Sequence, residues 1–279
     1  MSEPHRLDHQ GTALHYWMDG PATGPVVVLV HGATLDHHSF DAQVPALVAA
    51  GYRVVTPDLR GHGRSTPMGV PVTVRVLADD LGTLLDHLGA PAVALVGHSF
   101  GSYVVQDYTR RFPHRVHGLV LIASTTLAKR HAPIFRLLYR LFPPLLARMS
   151  LATFHQRTLA DLSVSPAVKT YAAQAMQGIS KPDFITIILA GLAALWLDSG
   201  FPPRAPIPVP WLLTHGAKDR ANGGVFLRQS PRWARQEPLC QYAIIPAAGH
   251  TAHMDNPTAF NHVLLDFLAA HAGGAHSVR

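Results

Sequence analysis

Val93-Ala94-Leu95-Val96 runs without a break into Gly97-His98-Ser99-Phe100-Gly101, and Ser102 to Phe112 follow as a helix-forming stretch that Pro113 ends. Four apolar residues in a row read as a buried strand. A Gly-x-Ser-x-Gly between a strand and a helix is a tight turn that holds its serine in a strained backbone state with the oxygen exposed. Gly97 and Gly101 suit this turn because no side chain fits where the strand and helix backbones pass so closely. The five-residue pattern alone also fits an ordinary Gly-rich turn; the strand before it and the helix after it single out Ser99 as a nucleophile.

A serine hydroxyl attacks well only when a base takes its proton. A histidine and an acid are therefore expected further along, in the order Ser, Asp or Glu, His. Trp211-Leu212-Leu213-Thr214-His215-Gly216 reads as a strand entering a loop that holds Asp219, and Ile244-Ile245-Pro246 ends another strand before Ala248-Gly249-His250. Both candidates lie past the carboxyl end of a strand, where reacting groups collect in an open α/β sheet. The expected roles are Ser99 as nucleophile, His250 as base and then acid, and Asp219 orienting the imidazole. His253 competes with His250 and is expected to bond the backbone of its own loop. The developing oxyanion needs donors. The loop His31-Gly32-Ala33, which follows the strand Val26–Val30, supplies the Ala33 N–H, and the elbow supplies the N–H of Phe100.

The chain resembles the α/β-hydrolase fold superfamily, in its group of esterases, lactonases, carbon–carbon hydrolases and cofactor-free perhydrolases. The resemblance rests on His31-Gly32-Ala33, Asp58-Leu59-Arg60-Gly61-His62-Gly63-Arg64-Ser65, Gly97-His98-Ser99-Phe100-Gly101, His215-Gly216-Ala217-Lys218-Asp219 and Gly249-His250, in that order. It covers about residues 6–124 and 205–270. It implies the fold and the triad but no particular substrate. One departure is Ser102, where the family often has a second glycine.

Strands and helices alternate after an opening hairpin of Arg6–His9 and Leu14–Met18. The expected order is strand Val26–Val30, helix Phe40–Ala50, strand Arg53–Thr56, helix Val74–Leu88, strand Ala92–Val96, helix Ser102–Phe112 and strand Gly118–Ala123. Beyond an insertion come strand Val209–Thr214, a helix around Val225–Arg235, strand Gln241–Ile245 and helix Pro257–His271. This pattern predicts an α/β fold: a mostly parallel twisted sheet flanked by helices. The expected division is core 1–124, helical cap 125–205, core 206–271 and a loose tail 272–279. The turn Asp58–Ser65 lacks the Gly-Lys-Ser/Thr ending of a phosphate loop and reads as structural, with Asp58 as a reserve acid.

The insertion reads as helical. Phe135, Leu138, Phe142, Leu145 and Met149 recur every three or four residues, with Arg136 and Arg140 off that stripe. Pro143-Pro144 is expected to break this helix in two. Ile185 to Leu197 is almost wholly apolar and too short to span a membrane. A cap over the catalytic edge would exclude water and form the substrate pocket, for which Trp196, Leu192 and Phe135 are the expected contacts. A basic, apolar stripe of this kind also suits a lipid surface.

Composition narrows the function classes. A chain of 279 residues, 48% hydrophobic, can bury a large core. Its single cysteine, Cys240, rules out an internal disulfide framework and reads as a packing residue. The net charge of +6 is scattered arginine without an aromatic platform, so no nucleic-acid partner is expected. No stable membrane insertion, metal or cofactor is expected, and without an apolar signal core the expected location is the cytoplasm. The oligomeric state stays open. The expected function is hydrolysis of small carboxylic esters or lactones with an apolar part through an acyl-serine intermediate. Acyl transfer, perhydrolysis or carbon–carbon cleavage by the same residues, and a non-hydrolysing ligand-binding protein, are the alternatives.

Overall fold

A computed structural model describes residues 2–128, 133–197 and 199–271. β1 (His5–His9) and β2 (Thr12–Asp19) pair as an antiparallel hairpin. β3 (Val26–Val30), β4 (Arg53–Pro57), β5 (Val93–His98), β6 (Val116–Ile122), β7 (Trp211–Gly216) and β8 (Cys240–Ile245) complete one sheet in the order β1-β2-β4-β3-β5-β6-β7-β8. β2 meets β4 antiparallel, and from β4 to β8 every neighbouring pair is parallel. α1 (Val44–Ala49), α2 (Val74–His87) and α3 (Phe100–Arg111) alternate with the strands. Among the described residues, four helices fall between β6 and β7: α4 (Pro133–Arg148), α5 (Leu151–Ala160), α6 (Pro166–Gln177) and α7 (Lys181–Trp196). α8 (Ala221–Ala234), α9 (Ala252–Asp255) and α10 (Pro257–His271) follow.

The central strands are mostly apolar because both faces of the sheet are covered. Leu95, Leu119, Leu121 and Leu213 face one side, against Leu81 of α2 and Val104 and Tyr108 of α3. Their strand neighbours Ala94, Val96, Val120 and Leu212 face the other, against Leu47 of α1 and Phe260 and Leu264 of α10. The parallel strands therefore end together along one edge, which the loops carrying Ala33, Ser99, Asp219 and His250 share.

Several boundaries differ from the expectation for local reasons. Residues His37–Phe40 form a separate 3-10 turn and α1 begins only at Val44, because Pro45, which has no N–H, is tolerated only in a helix's first turn. α4 runs through Pro143 and Pro144 unbroken. Pro144 and Arg140 are exposed, so carbonyls deprived of their amide donors there can turn to water. The break comes instead at Ser150, whose hydroxyl accepts from the Thr153 N–H and starts α5. The apolar stripe of α4 divides between core and solvent. Leu146 is buried and Phe142 and Met149 pack on the core, whereas Leu138 and Leu145 are exposed. The tail 272–279 lies outside the described residues.

The Asp58–Ser65 turn is held by buried charge. The Arg60 guanidinium, fully buried, forks onto Asp80 at 2.6 and 2.8 Å and donates to the carbonyls of Gln10 and Met68, joining the hairpin to α2. Asp58 accepts the His37 and Arg64 N–H groups at 2.9 and 2.8 Å. Burial works to raise its pKa, but the His37 hydrogen bond and neighbouring His31 hold it below the usual carboxylate value. Cys240 sits at the start of β8, where burial and then Glu237 push its thiol up to about 12.

Candidate active site

Ser99 stands between β5 and α3 at φ 48° and ψ −113°. A residue with a side chain held there costs about 1–3 kcal/mol, which only a tight surrounding can enforce. The surrounding is tight. A Cβ on Gly97 would come 2.6 Å from Val105 Cγ2 and 2.7 Å from the Gly101 carbonyl oxygen, and one on Gly101 would overlap the His31 carbonyl. The Ser99 N–H donates to the Ile122 carbonyl at 2.8 Å. The Ser102 hydroxyl bonds the Ser99 carbonyl and lies 2.6 Å from Ser124 Oγ, which ties the elbow to the end of β6.

The other two residues arrive from the loops after β7 and β8. Those loops cross so closely that a Cβ on Gly216 would overlap the carbonyls of Ala248 and Gly249. His250 Nε2 lies 2.8 Å from Ser99 Oγ, and His250 Nδ1 lies 3.0 Å from Asp219 Oδ2. Asp219 is wholly buried, and its other oxygen accepts the Ala221 N–H at 3.0 Å. An imidazole donating Nδ1–H to that carboxylate turns the lone pair of Nε2 towards the serine hydroxyl. The ring of Phe226 on α8 lies 5.0 Å from that of His250, a contact that α8's periodicity did not signal.

His253 does not bond its loop as expected. It is a core residue between the rings of Phe40 and His98, 4.8 and 4.7 Å away. Burial, and then His250, pushes its pKa down to about 3. His62, buried beside His31, is likewise lowered to about 3. Both rings are neutral in the folded protein at neutral pH and refuse a proton that an unfolded histidine accepts near 6.5. Protons therefore favour the unfolded chain increasingly as pH falls from about 6.5 towards 3. Each ring should remove about 2 kcal/mol between pH 7 and pH 5. Urea unfolding midpoints at the two pH values check this; equal or greater stability at pH 5 contradicts it.

A cavity of about 320 Å³ opens beside Ser99 and His250. Ala33, Thr34 and Phe100 form its floor; Leu162, Ile187, Ile188 and Leu192 of the insertion form an apolar wall, with Arg157 and Asp161 also on it. Thr34, at φ 63°, keeps its buried hydroxyl unpartnered next to the floor, a feature the sequence did not signal. Of the expected pocket residues, Leu192 lines the cavity. Trp196, one turn further along α7, lies beyond the lining and packs edge-on against Phe142 of α4 at 5.4 Å. The side chain of Phe135 lies outside the described residues. Asp36, His37 and His38 do not line the cavity; His37 stacks on Trp17 at 3.3 Å.

The insertion is tied to the catalytic edge at two places. The Tyr171 hydroxyl donates to Asp36 Oδ1 at 2.7 Å, in the loop that also carries Ala33. Asp255 accepts the Gly249 N–H at 2.7 Å beside His250, and it also accepts the Ser163 hydroxyl and the Val164 N–H. Among the described residues, no group of three or more His, Cys, Asp or Glu side chains is placed to hold a metal ion.

The profile of the family described as alpha/beta hydrolase fold matches residues 25–257. The chain belongs to the α/β-hydrolase fold family. This α/β-hydrolase is 41% identical to epoxide hydrolase B of Mycobacterium tuberculosis over 128 residues, 44% of this chain and 36% of that one. It is 36% identical to a bifunctional esterase/perhydrolase of Acinetobacter calcoaceticus over 115 residues, 41% of this chain and 42% of that one. These matches thus span less than half the length of either relative. A solved structure of a thermophilic esterase from Thermogutta terrifontis superposes with a TM-score of 0.80 at 26% identity, covering 96% of this chain and 99% of the other.

Proposed function

We propose that this α/β-hydrolase is a serine hydrolase of small carboxylic esters or lactones with an apolar part. The observation that carries the reading is the hydrogen-bonded line Ser99–His250–Asp219, at 2.8 and 3.0 Å, ending in the cavity. Ser99 Oγ attacks the carbonyl carbon while His250 Nε2 takes its proton. The carbonyl oxygen becomes an oxyanion, for which the N–H groups of Ala33 and Phe100, two residues that line the cavity, are the proposed donors. His250 then protonates the departing alcohol and leaves an acyl-serine. Water attacks that carbonyl, His250 again takes the proton, and the acid leaves as Ser99 recovers it. Asp219 stays ionised and stabilises the imidazolium. No step calls for a metal or cofactor.

The likeness to an epoxide hydrolase supports hydrolysis in general but not an epoxide substrate. An epoxide opened by a serine oxygen leaves an ether on Ser99, with no carbonyl for water to attack. An ester or lactone leaves an acyl group that water can remove. The helices between β6 and β7 act as the cap: they shut the cavity and set substrate choice through Ile187, Ile188 and Leu192.

Turnover of p-nitrophenyl esters from acetate to decanoate, with lactones and epoxides alongside, tests this reading. Each methylene buried against the apolar wall contributes about 0.8 kcal/mol, so kcat/KM should climb nearly fourfold per carbon until the cavity is full. Leu192→Ala should move the optimum to longer chains and keep acetate kcat within a few-fold. Turnover of epoxides with none of esters or lactones overturns the reading. A flat chain-length profile removes the apolar wall from substrate choice.

A further inference from the structure

Eight large hydrophobic side chains are exposed among the described residues, and five of them sit on α4: Ile134, Leu137, Leu138, Leu141 and Leu145, between 39% and 60% exposed. Their spacing of three and four residues puts them on one stripe. Beside it is a second apolar face, Phe142, Leu146 and Met149, which packs on the core. α4 thus has two apolar faces, and among the described residues only one is packed inside the protein. An unpaired stripe of this length is costly in water and marks an interaction surface.

The charge around the stripe is one-sided. Residues 133–160, covering α4 and α5, contain four arginines and no aspartate or glutamate. Three of the arginines, Arg136, Arg140 and Arg148, are on α4 and exposed. At 16 residues α4 is too short to cross a bilayer, and no described helix is long and apolar enough to do so. A short helix with an exposed apolar stripe, Arg136 and Arg140 off that stripe, Arg148 at its carboxyl-terminal end and no acidic residue suits one position: lying in the plane of an anionic lipid surface. A second copy meeting this one through the same face would set two acid-free basic helices against each other, which their charge opposes.

We infer that α4 is an interfacial helix that docks the protein on anionic phospholipid membranes. Its leucine stripe enters the headgroup boundary, and Arg136, Arg140 and Arg148 meet the lipid phosphates. The inward face of α4 holds α7 through Phe142 and Trp196, and α7 lines the cavity with Ile187, Ile188 and Leu192. Docking would therefore bring the cavity's apolar wall near the source of apolar molecules. It does not depend on the esterase reading, because vesicle binding needs no turnover.

Co-sedimentation with phosphatidylcholine vesicles, with and without phosphatidylglycerol, tests this. Binding to the anionic vesicles should exceed binding to phosphatidylcholine alone, by roughly a hundredfold if all three arginines reach the surface. Leu137→Glu/Leu141→Glu should cut binding to anionic vesicles about tenfold or more. Arg136→Gln/Arg140→Gln should remove most of the preference for anionic lipid while leaving the apolar stripe whole. Both variants change exposed residues and should keep the wild-type melting temperature and p-nitrophenyl acetate turnover. Absence of vesicle binding, equal binding to both vesicle types, or binding that neither variant reduces overturns the inference. So does a dimer of the free protein that Leu137→Glu/Leu141→Glu dissociates, which would assign the stripe to a second copy.

Discussion

Ser99→Ala should leave a folded protein whose ester turnover falls by about 10⁶, to background. The substitution removes one oxygen and leaves Gly97, Gly101 and the packing of the elbow untouched. The backbone strain at φ 48° remains, since alanine carries a Cβ like serine. Ser99→Gly should be equally inactive, yet roughly 1 kcal/mol more stable than Ser99→Ala, because glycine adopts that conformation freely. Initial rates on a short-chain ester and urea denaturation of the three proteins check both parts. Residual turnover within a hundredfold of wild type in a clean preparation would remove Ser99 from the mechanism.

Asp219→Asn should lower kcat by about 10⁴ with little change in KM. The amide presents a donor towards His250 Nδ1, which turns the ring proton to Nε2 and faces it at Ser99, so the imidazole can no longer accept the serine proton. The Ala221 N–H retains an acceptor in the amide oxygen, so the loop should hold its shape. Asp58 is the comparison. Its carboxylate serves His37 and Arg64, and the Asp58→Asn variant should lose stability before activity. A nearly wild-type Asp219→Asn beside an inactive but folded Asp58→Asn would reverse the two roles.

The fold was legible because its signals are local. Val26–Val30, Val93–Val96 and Leu119–Ile122 are apolar on both faces, which suits a parallel sheet covered on both sides, and the intervening stretches have helical spacing. The chain order of Ser99, Asp219 and His250 pointed to three side chains that the structure sets in one hydrogen-bonded line. What sequence could not supply is choice between equivalent local patterns. α4 carries two apolar stripes with the same three-and-four spacing, and periodicity cannot say which packs inward; that depends on the surface of α7. Trp196 and Leu192 share that ambiguity: both are apolar positions one turn apart on α7, yet the cavity ends between them. The contact of the Phe226 and His250 rings and the fork of Arg60 on Asp80 join residues 24 and 20 positions apart, and no local rule pairs them.

Covalent capture at Ser99 bears most directly on the account. Diethyl p-nitrophenyl phosphate presents a phosphorus centre to an activated serine and releases p-nitrophenol, leaving a diethylphosphoryl group that water removes slowly. Intact-mass and peptide mapping after brief exposure should find one such group per chain, on Ser99, in step with loss of ester turnover, and none on Ser99→Ala. A group on another residue, or an unlabelled and inactivated enzyme, would contradict the assignment of Ser99 as the attacking atom.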